Sequence, residues 1–171
     1  TKNAEFNTNF IKNFKSAGHK LTIDGSFSVS NEYENSSILG TDILPVFAVI
    51  SNEITSNTQI QSRNLIQTDY IYPFGKSQFE AGFRGNYSSL FSDFNVKEDL
   101  TGNGTFTTNP FVTGILDYQE NVTAAYSQYG SKYNKISYLI GLRMEDSYIV
   151  IDQISTGISN TKRYVNYFPS V

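Results

Sequence analysis

Apolar side chains return at every second position over long stretches of this chain, the signature of a strand with one apolar and one polar face. Over residues 20–31, Leu21, Ile23, Gly25, Phe27 and Val29 fall on one face and Thr22, Asp24, Ser26, Ser28 and Ser30 on the other. Over 78–91, Phe79, Ala81, Phe83, Gly85 and Tyr87 oppose Glu80, Gly82, Arg84, Asn86 and Ser88. Over 136–145, Ile136, Tyr138, Ile140, Leu142 and Met144 oppose Ser137, Leu139, Gly141, Arg143 and Glu145. Weaker runs over 5–14, 59–72, about 115–128 and one ending near Phe168 bring the predicted count to seven strands. Helical periodicity is scarce, so the chain is predicted to be all-β.

The connections fall into two alternating classes. Short ones are predicted at 15–19, 73–77 and 129–135, where Gly18, Pro73, Gly75 and Gly130 supply turn chemistry. Long ones are predicted at 34–58, 92–110 and about 146–162. Consecutive antiparallel strands alternate in direction, so short turns gather at one end of the sheet and long loops at the other. Outer-membrane β-barrels have this layout: tilted strands, apolar outward and polar inward, with short periplasmic turns, long external loops and aromatic girdles. Phe14, Tyr72, Phe74, Tyr129, Tyr133 and Phe168 sit beside the short turns, and Phe91, Phe94 and Tyr118 toward the long loops. The predicted fold is an antiparallel up-and-down barrel segment of about seven strands. Seven strands do not close a bacterial single-chain barrel, for which even numbers from 8 upward are the rule, so the wall needs strands from elsewhere. A soluble β-sandwich or a lipocalin-like barrel around an apolar ligand is the rival from the same pattern. Its strands are typically about 5–6 residues long, shorter than the patterned runs here.

Composition narrows the function classes. Of 171 residues only 17% are charged, 15% are aromatic and none is Cys, which excludes disulfides and Cys-ligated metals. No apolar run approaches the roughly 18 residues of a spanning helix. The net charge of -3 and the lack of a Lys/Arg cluster of polybasic size argue against nucleic acid as a partner. The chain starts at Thr1 without a signal segment and reads as a piece of something longer.

Five phrases, in order, carry a resemblance: Gln67-Thr68-Asp69-Tyr70 running into Pro73, Phe79-Glu80-Ala81-Gly82-Phe83-Arg84-Gly85, Ala124-Ala125-Tyr126, Gly141-Leu142-Arg143-Met144-Glu145 and Tyr167-Phe168-Pro169-Ser170. From Leu65 to Val171 the chain resembles the barrel of TonB-dependent outer-membrane receptors of the Bacteroidota type, the outer membrane protein beta-barrel family. The first 64 residues fit by pattern alone. The resemblance implies a bacterial outer-membrane location, further barrel strands and a plug domain in the lumen. It also implies energy drawn from an inner-membrane protein, a surface lipoprotein as a further partner, and uptake of an external nutrient. A structural or secretion-associated barrel is the alternative within the same membrane. No plug and no energy-coupling box is recognisable in the chain.

Candidate chemistry is sparse. His19 is the only histidine and lies in a short turn, so it is read as a solvated turn residue rather than a catalytic base; no enzyme is predicted. No cofactor or metal is predicted: Asp93, Asn95, Glu98, Asp99 and Asn103 do not follow the spacing of a calcium loop, and Gly102-Asn103-Gly104 reads as a turn. The candidate site is the lumen face, where Arg63, Asp69, Glu80, Arg84, Arg143 and Glu145 alternate in sign and are placed to pair across strands or hold a plug. Lys12 and Asp24 are marginal members. Glu120 shares the parity of Val122, Ala124 and Tyr126 and is predicted on the apolar side. Residues 43–50 form an apolar run in the first long loop, with Phe47 and Ile50 as candidate contacts for a substrate or partner. The plainer reading is that this loop packs on itself or continues a strand above the membrane.

Overall fold

Strand alternation governs the whole molecule. The computed structural model describes residues 1–42 and 48–171. It contains β1 (Lys2–Asn13), β2 (Lys20–Asp42), β3 (Ala48–Phe74), β4 (Ser77–Asp99), a two-residue β5 (Thr107–Thr108), β6 (Gly114–Tyr133), β7 (Ile136–Gln153) and β8 (Ile158–Ser170). The long strands form one antiparallel sheet in the order β1-β2-β3-β4-β6-β7-β8, with β5 paired to β4. Each long strand pairs with its neighbours in sequence, and β1 and β8 are the two edges.

The register carries each face from strand to strand. One row of partners runs Phe10, Ile23, Thr68, Phe83, Ala125, Met144 and Tyr167, and it belongs to the apolar face. The next row runs Asn9, Asp24, Gln67, Arg84, Ala124, Glu145 and Asn166, on the polar face. Among the described residues the buried apolar side chains are Val96 and Ala124 alone, while Phe6, Phe27, Ile66, Phe83, Ile140, Leu142 and Tyr167 are all exposed. A sandwich packs a second sheet over its apolar face; among the described residues there is one sheet.

The long loops of the sequence reading are mostly strand. Residues 34–42 and 48–58 extend β2 and β3 as one hairpin, interrupted by a register shift at Gly40/Thr41. The 92–110 segment gives β4 as far as Asp99, and 146–162 reduces to a connection at 154–157. Beyond the apolar band both faces of a strand meet water, so alternation is no longer required and polar runs such as Glu34 to Ser37 read as loop. The short turns stand as expected at one end. Two are two-residue hairpins whose first central residue has positive φ, Gly75 (60°) and Asn134 (55°), as in type II′ turns.

β6 corrects the sequence reading. Its apolar-face residues are Tyr129, Ser127, Ala125 and Thr123, paired with Phe79, Ala81, Phe83 and Gly85. Glu120, Val122, Ala124 and Tyr126 therefore lie on the polar face, and Glu120 is no misfit there. Lys12, opposite Leu21, is on the apolar face, and Asp24 is on the polar one. Phe94, Tyr118 and Phe168 fall on the polar face and leave the expected girdle, while Phe14, Tyr72, Phe74 and Tyr129 make contacts within it at the turn end.

Candidate functional site

The polar face of β3, β4, β6 and β7 brings five of the six candidate residues into three adjacent rows. Asp69 opposes Gly82, which opposes Tyr126, which opposes Arg143. On one side of that row lie Glu80, Gln128 and Gly141, and on the other Gln67, Arg84, Ala124 and Glu145. Arg63 stands farther along, in the row of Ser28, Ser88 and Glu120.

Cross-strand pairing of opposite charges, expected from the alternating signs, is not what holds this cluster. Both carboxylates on its turn side are held by neutral donors. The Tyr126 hydroxyl donates to Asp69 Oδ1 at 2.6 Å and Gln67 Nε2 to Oδ2 at 2.8 Å. Glu80 receives the side-chain amides of Gln78 and Gln128, one to each oxygen. Arg143 pairs within its own strand, with Glu145 at 2.8 Å. Among the described residues neither Arg63 nor Arg84 has a carboxylate within ion-pair distance. Arg84 and Arg143 line a hollow of ≈ 140 Å³ with Asn86, Val122 and Ala124. Arg63 shares another of ≈ 280 Å³ with Asn86, Tyr118 and Glu120. The polar face thus presents two guanidinium groups without an ionic partner beside carboxylates whose oxygens are engaged.

Tyr126, Gln128 and Gly82 are members that sequence reasoning missed. Gly82 has a readable signal, since a glycine inside a patterned strand marks a close approach. A Cβ there would meet Tyr126 Cε1, lie 2.7 Å from Asp69 Oδ1 and lie 2.8 Å from the Thr68 carbonyl oxygen. Tyr126 was masked by the inverted parity of β6. Gly141 is crowded by its own neighbours: a Cβ would lie 2.8 Å from Ser170 Oγ and 3.0 Å from Gln128 Cβ. Phe47 lies outside the described residues, while the backbone of Ile50 belongs to β3.

The apolar face has its own construction at the turn end. Phe14 stacks on His19 (centroids 4.0 Å apart), and His19 meets Tyr70 and Tyr72 edge-on. Contacts continue from Tyr72 to Phe74, Phe74 to Tyr129 and Tyr129 to Tyr138. His19 Nε2 and the Tyr70 hydroxyl share a hydrogen bond of 2.9 Å. His19 is therefore part of an aromatic belt rather than a solvated turn residue. Farther up, Arg163 makes a bidentate pair with Asp146 (3.1 and 2.7 Å) on the same face.

At the loop end, Asp99 is 2% exposed and anchors the 99–105 segment. Its Oδ1 accepts the Thr101 amide, the Thr101 hydroxyl and the Gly102 amide, and its Oδ2 the Gly104 amide. Burial works to raise its pKa, but the Gly104, Thr101 and Gly102 donors together hold it below the ordinary carboxylate value. Four N–H or O–H donors aimed at one carboxylate are the opposite of a calcium site, which needs oxygens turned toward the ion. Glu98 is likewise engaged, by Asn109 Nδ2 at 2.7 Å. Among the described residues no group of three or more His, Asp or Glu is placed to hold a metal.

Comparison with known proteins agrees with this geometry. Among solved structures 32 chains match. One is the crystal structure of ferric citrate transporter FecA in the unliganded form, at a TM-score of 0.56 and 14% identity, over 98% of this chain and 23% of that one. This chain therefore spans less than a quarter of that transporter's length, and the likeness is one of fold. No curated protein matches. Residues 12–171 match the outer membrane protein beta-barrel family, nearly the whole of the sheet. An open sheet with an exposed apolar face, an aromatic belt at its turn end and that match place the chain in the bacterial outer membrane, as a member of the outer membrane protein beta-barrel family.

Proposed function

We infer that this chain is one stretch of wall in a larger barrel whose intact form is a receptor and transporter for an external nutrient, of the TonB-dependent, Bacteroidota type. The observation that carries the reading is the open sheet: β1 and β8 leave two unpaired edges, which lipid does not tolerate, so further strands complete the wall. The polar face then lines a lumen. A lumen of a barrel several times longer than this segment is wide, and a plug domain fills it. Arg63 and Arg84 are the groups on this wall best suited to hold plug carboxylates, because among the described residues they have no ionic partner. Asp69, Glu80, Arg143 and Glu145 stiffen the wall between them. An inner-membrane energy-coupling protein below and a surface lipoprotein above are the partners this arrangement accommodates. In this reading the short turns face the periplasm.

The test is uptake by cells with and without the intact protein, across a panel of labelled nutrients, with the inner-membrane proton gradient intact or collapsed. Energy-dependent uptake of one class, lost on deletion, is the expected outcome. Uptake that is unchanged on deletion, with the barrel assembled normally in controls, leaves the structural or secretion-associated reading in its place.

A further inference from the structure

Charge is sorted along this sheet by end. The short turns and the residues beside them, 12–20, 72–78 and 129–138, carry Lys12, Lys15, Lys20, Lys76, Lys132 and Lys135 with His19, and no Asp or Glu. Six of the 13 Lys and Arg thus lie in these segments; in the sheet Lys20 shares a polar-face row with Glu80, which leaves Lys12 on the apolar face and Lys15, Lys76, Lys132 and Lys135 in or beside the turns. The far ends of the strands are acidic, with Glu53, Glu98, Asp117 and Asp152 in their pairing rows. All the basic turns are neighbours. A Cβ on Gly18 would touch Pro73 Cγ at 3.5 Å, and the Ser77 and Ser131 hydroxyls bond at 2.8 Å. Lys12, Lys15, Lys76, Lys132 and Lys135 are exposed, and among the described residues none of them pairs with a carboxylate.

The aromatic belt fixes the depth of this charge. Lys12 holds its ammonium 5.2 Å from the Phe14 ring centre, and Phe14 stacks on His19, so a cation sits at the level of the rings with its stem along the apolar face. Rings of this kind settle at the headgroup layer of a bilayer. Lys15, Lys76, Lys132 and Lys135 lie in or beside the turns at the end of the belt, and cations spread over three turns rather than gathered in a cleft match a flat anionic surface better than a folded partner.

We propose that the short-turn end of the sheet is a binding surface for anionic glycerophospholipids, its lysines meeting the lipid phosphates of the leaflet that the turns face. Each Lys near such a surface contributes about a fivefold preference for it, and the effect fades as salt screens the charge. The surface then does more than anchor: it recruits acidic lipid to one rim of the barrel and resists tilting that would pull the basic turns out of the headgroups.

The experiment uses the intact barrel protein folded into vesicles that mix plain phosphatidylcholine with either brominated phosphatidylglycerol or brominated phosphatidylcholine. A bimane probe is attached at Ser16→Cys in the first turn, and a control probe at Asn160→Cys near the opposite end. Quenching at position 16 is expected to half-saturate at about a tenfold lower fraction of the glycerol lipid than of the choline lipid. The preference should be absent at position 160, and should shrink to near unity in 0.5 M salt, on the order of a 4 Å screening length. A variant carrying Lys15→Gln, Lys76→Gln, Lys132→Gln and Lys135→Gln should lose the preference while keeping heat-modifiable migration on gels. Equal quenching by both lipids at position 16, or a preference that survives high salt in the unaltered protein, overturns the proposal without bearing on nutrient uptake.

Discussion

Gly82 occupies a position where any side chain would collide. A Cβ there points at the Asp69–Tyr126 hydrogen bond and at the Thr68 carbonyl of the adjacent strand, and the last of these is backbone that gives little. Gly82→Ala is therefore expected to destabilise the barrel by about 1–3 kcal/mol through overpacking, despite alanine's better strand propensity. Denaturant titration of the intact protein in detergent checks this, and Tyr126→Phe combined with Gly82→Ala should recover little, since the ring itself is what the new methyl meets. Asp99 makes an electrostatic demand instead. Its folded pKa lies below its unfolded one, so its hold on residues 99–105 is fully present above the unfolded value and is lost as pH falls through the folded value. Fluorescence anisotropy of a probe at Asn103→Cys should stay constant from neutral pH down to the ordinary carboxylate range and fall only in stronger acid. With Asp99→Asn the anisotropy should be low throughout, because an amide offers one acceptor oxygen where the carboxylate offers two. Proteases added to intact cells should then cut at 100–105.

Along a single strand, neighbouring positions face opposite solvents. On β7, Ile140 lies on the apolar face and Gly141 on the polar one; on β4 the same holds for Phe83 and Arg84. Phe83→Arg should cost about 2–4 kcal/mol near mid-depth and impair assembly, whereas Ile140→Arg, in the row of the belt residue Tyr129, should cost about 0–1 kcal/mol, with Arg84→Gln tolerated. Gly141→Ser, harmless on alternation alone, meets Ser170 and Gln128 and should be intermediate. Single cysteines at 140 and 83 should be reached by a lipid-phase quencher, and those at 141 and 84 should not; equal quenching at all four sites contradicts the face assignment. β2, β4 and β7 were legible because their polar faces carry Ser, Asp, Arg and Glu while their apolar faces carry Phe, Ile and Leu. β6 misled because its apolar face is Ser127, Ala125 and Thr123, less greasy than its inner face, where Ala124 is 3% exposed and Tyr126 is drawn in by Asp69. Of the site, the charged members could be read from parity, but their partners could not, because glutamine and tyrosine donors leave no charge pattern in a sequence.

For the molecule as a whole, the proposed orientation puts the short turns in the periplasm and the extended connections outside. Biotin labelling of intact cells should reach cysteines at Asn35, Asn103 and Asn160 and miss those at Gly18, Gly75 and Ser131. Labelling of both sets alike would mean that the sheet is not oriented across the membrane as inferred. The end identified by the turns is also the end with the aromatic belt, from Phe14 to Tyr138, so two independent features agree on where the headgroups lie.

The extended strands have a consequence in time as well as in space. β3 has 27 residues, roughly 90 Å at about 3.3 Å per residue, whereas the apolar band of such a wall is about 25 Å tall. The lower part of each strand is clamped by lipid that forbids an open backbone. The upper part stands in water, where a broken pair is rehydrated at once. Like charges also face each other across the upper ladder, at Glu53 and Glu98 and at Asp117 and Asp152. One strand therefore has two lifetimes. Amide hydrogen exchange along β3 should slow steadily from Asn52 toward Gln67, with the rim opening and reclosing many times while the wall beneath it stays shut. In the proposed orientation, what arrives at the cell surface meets the fast end first.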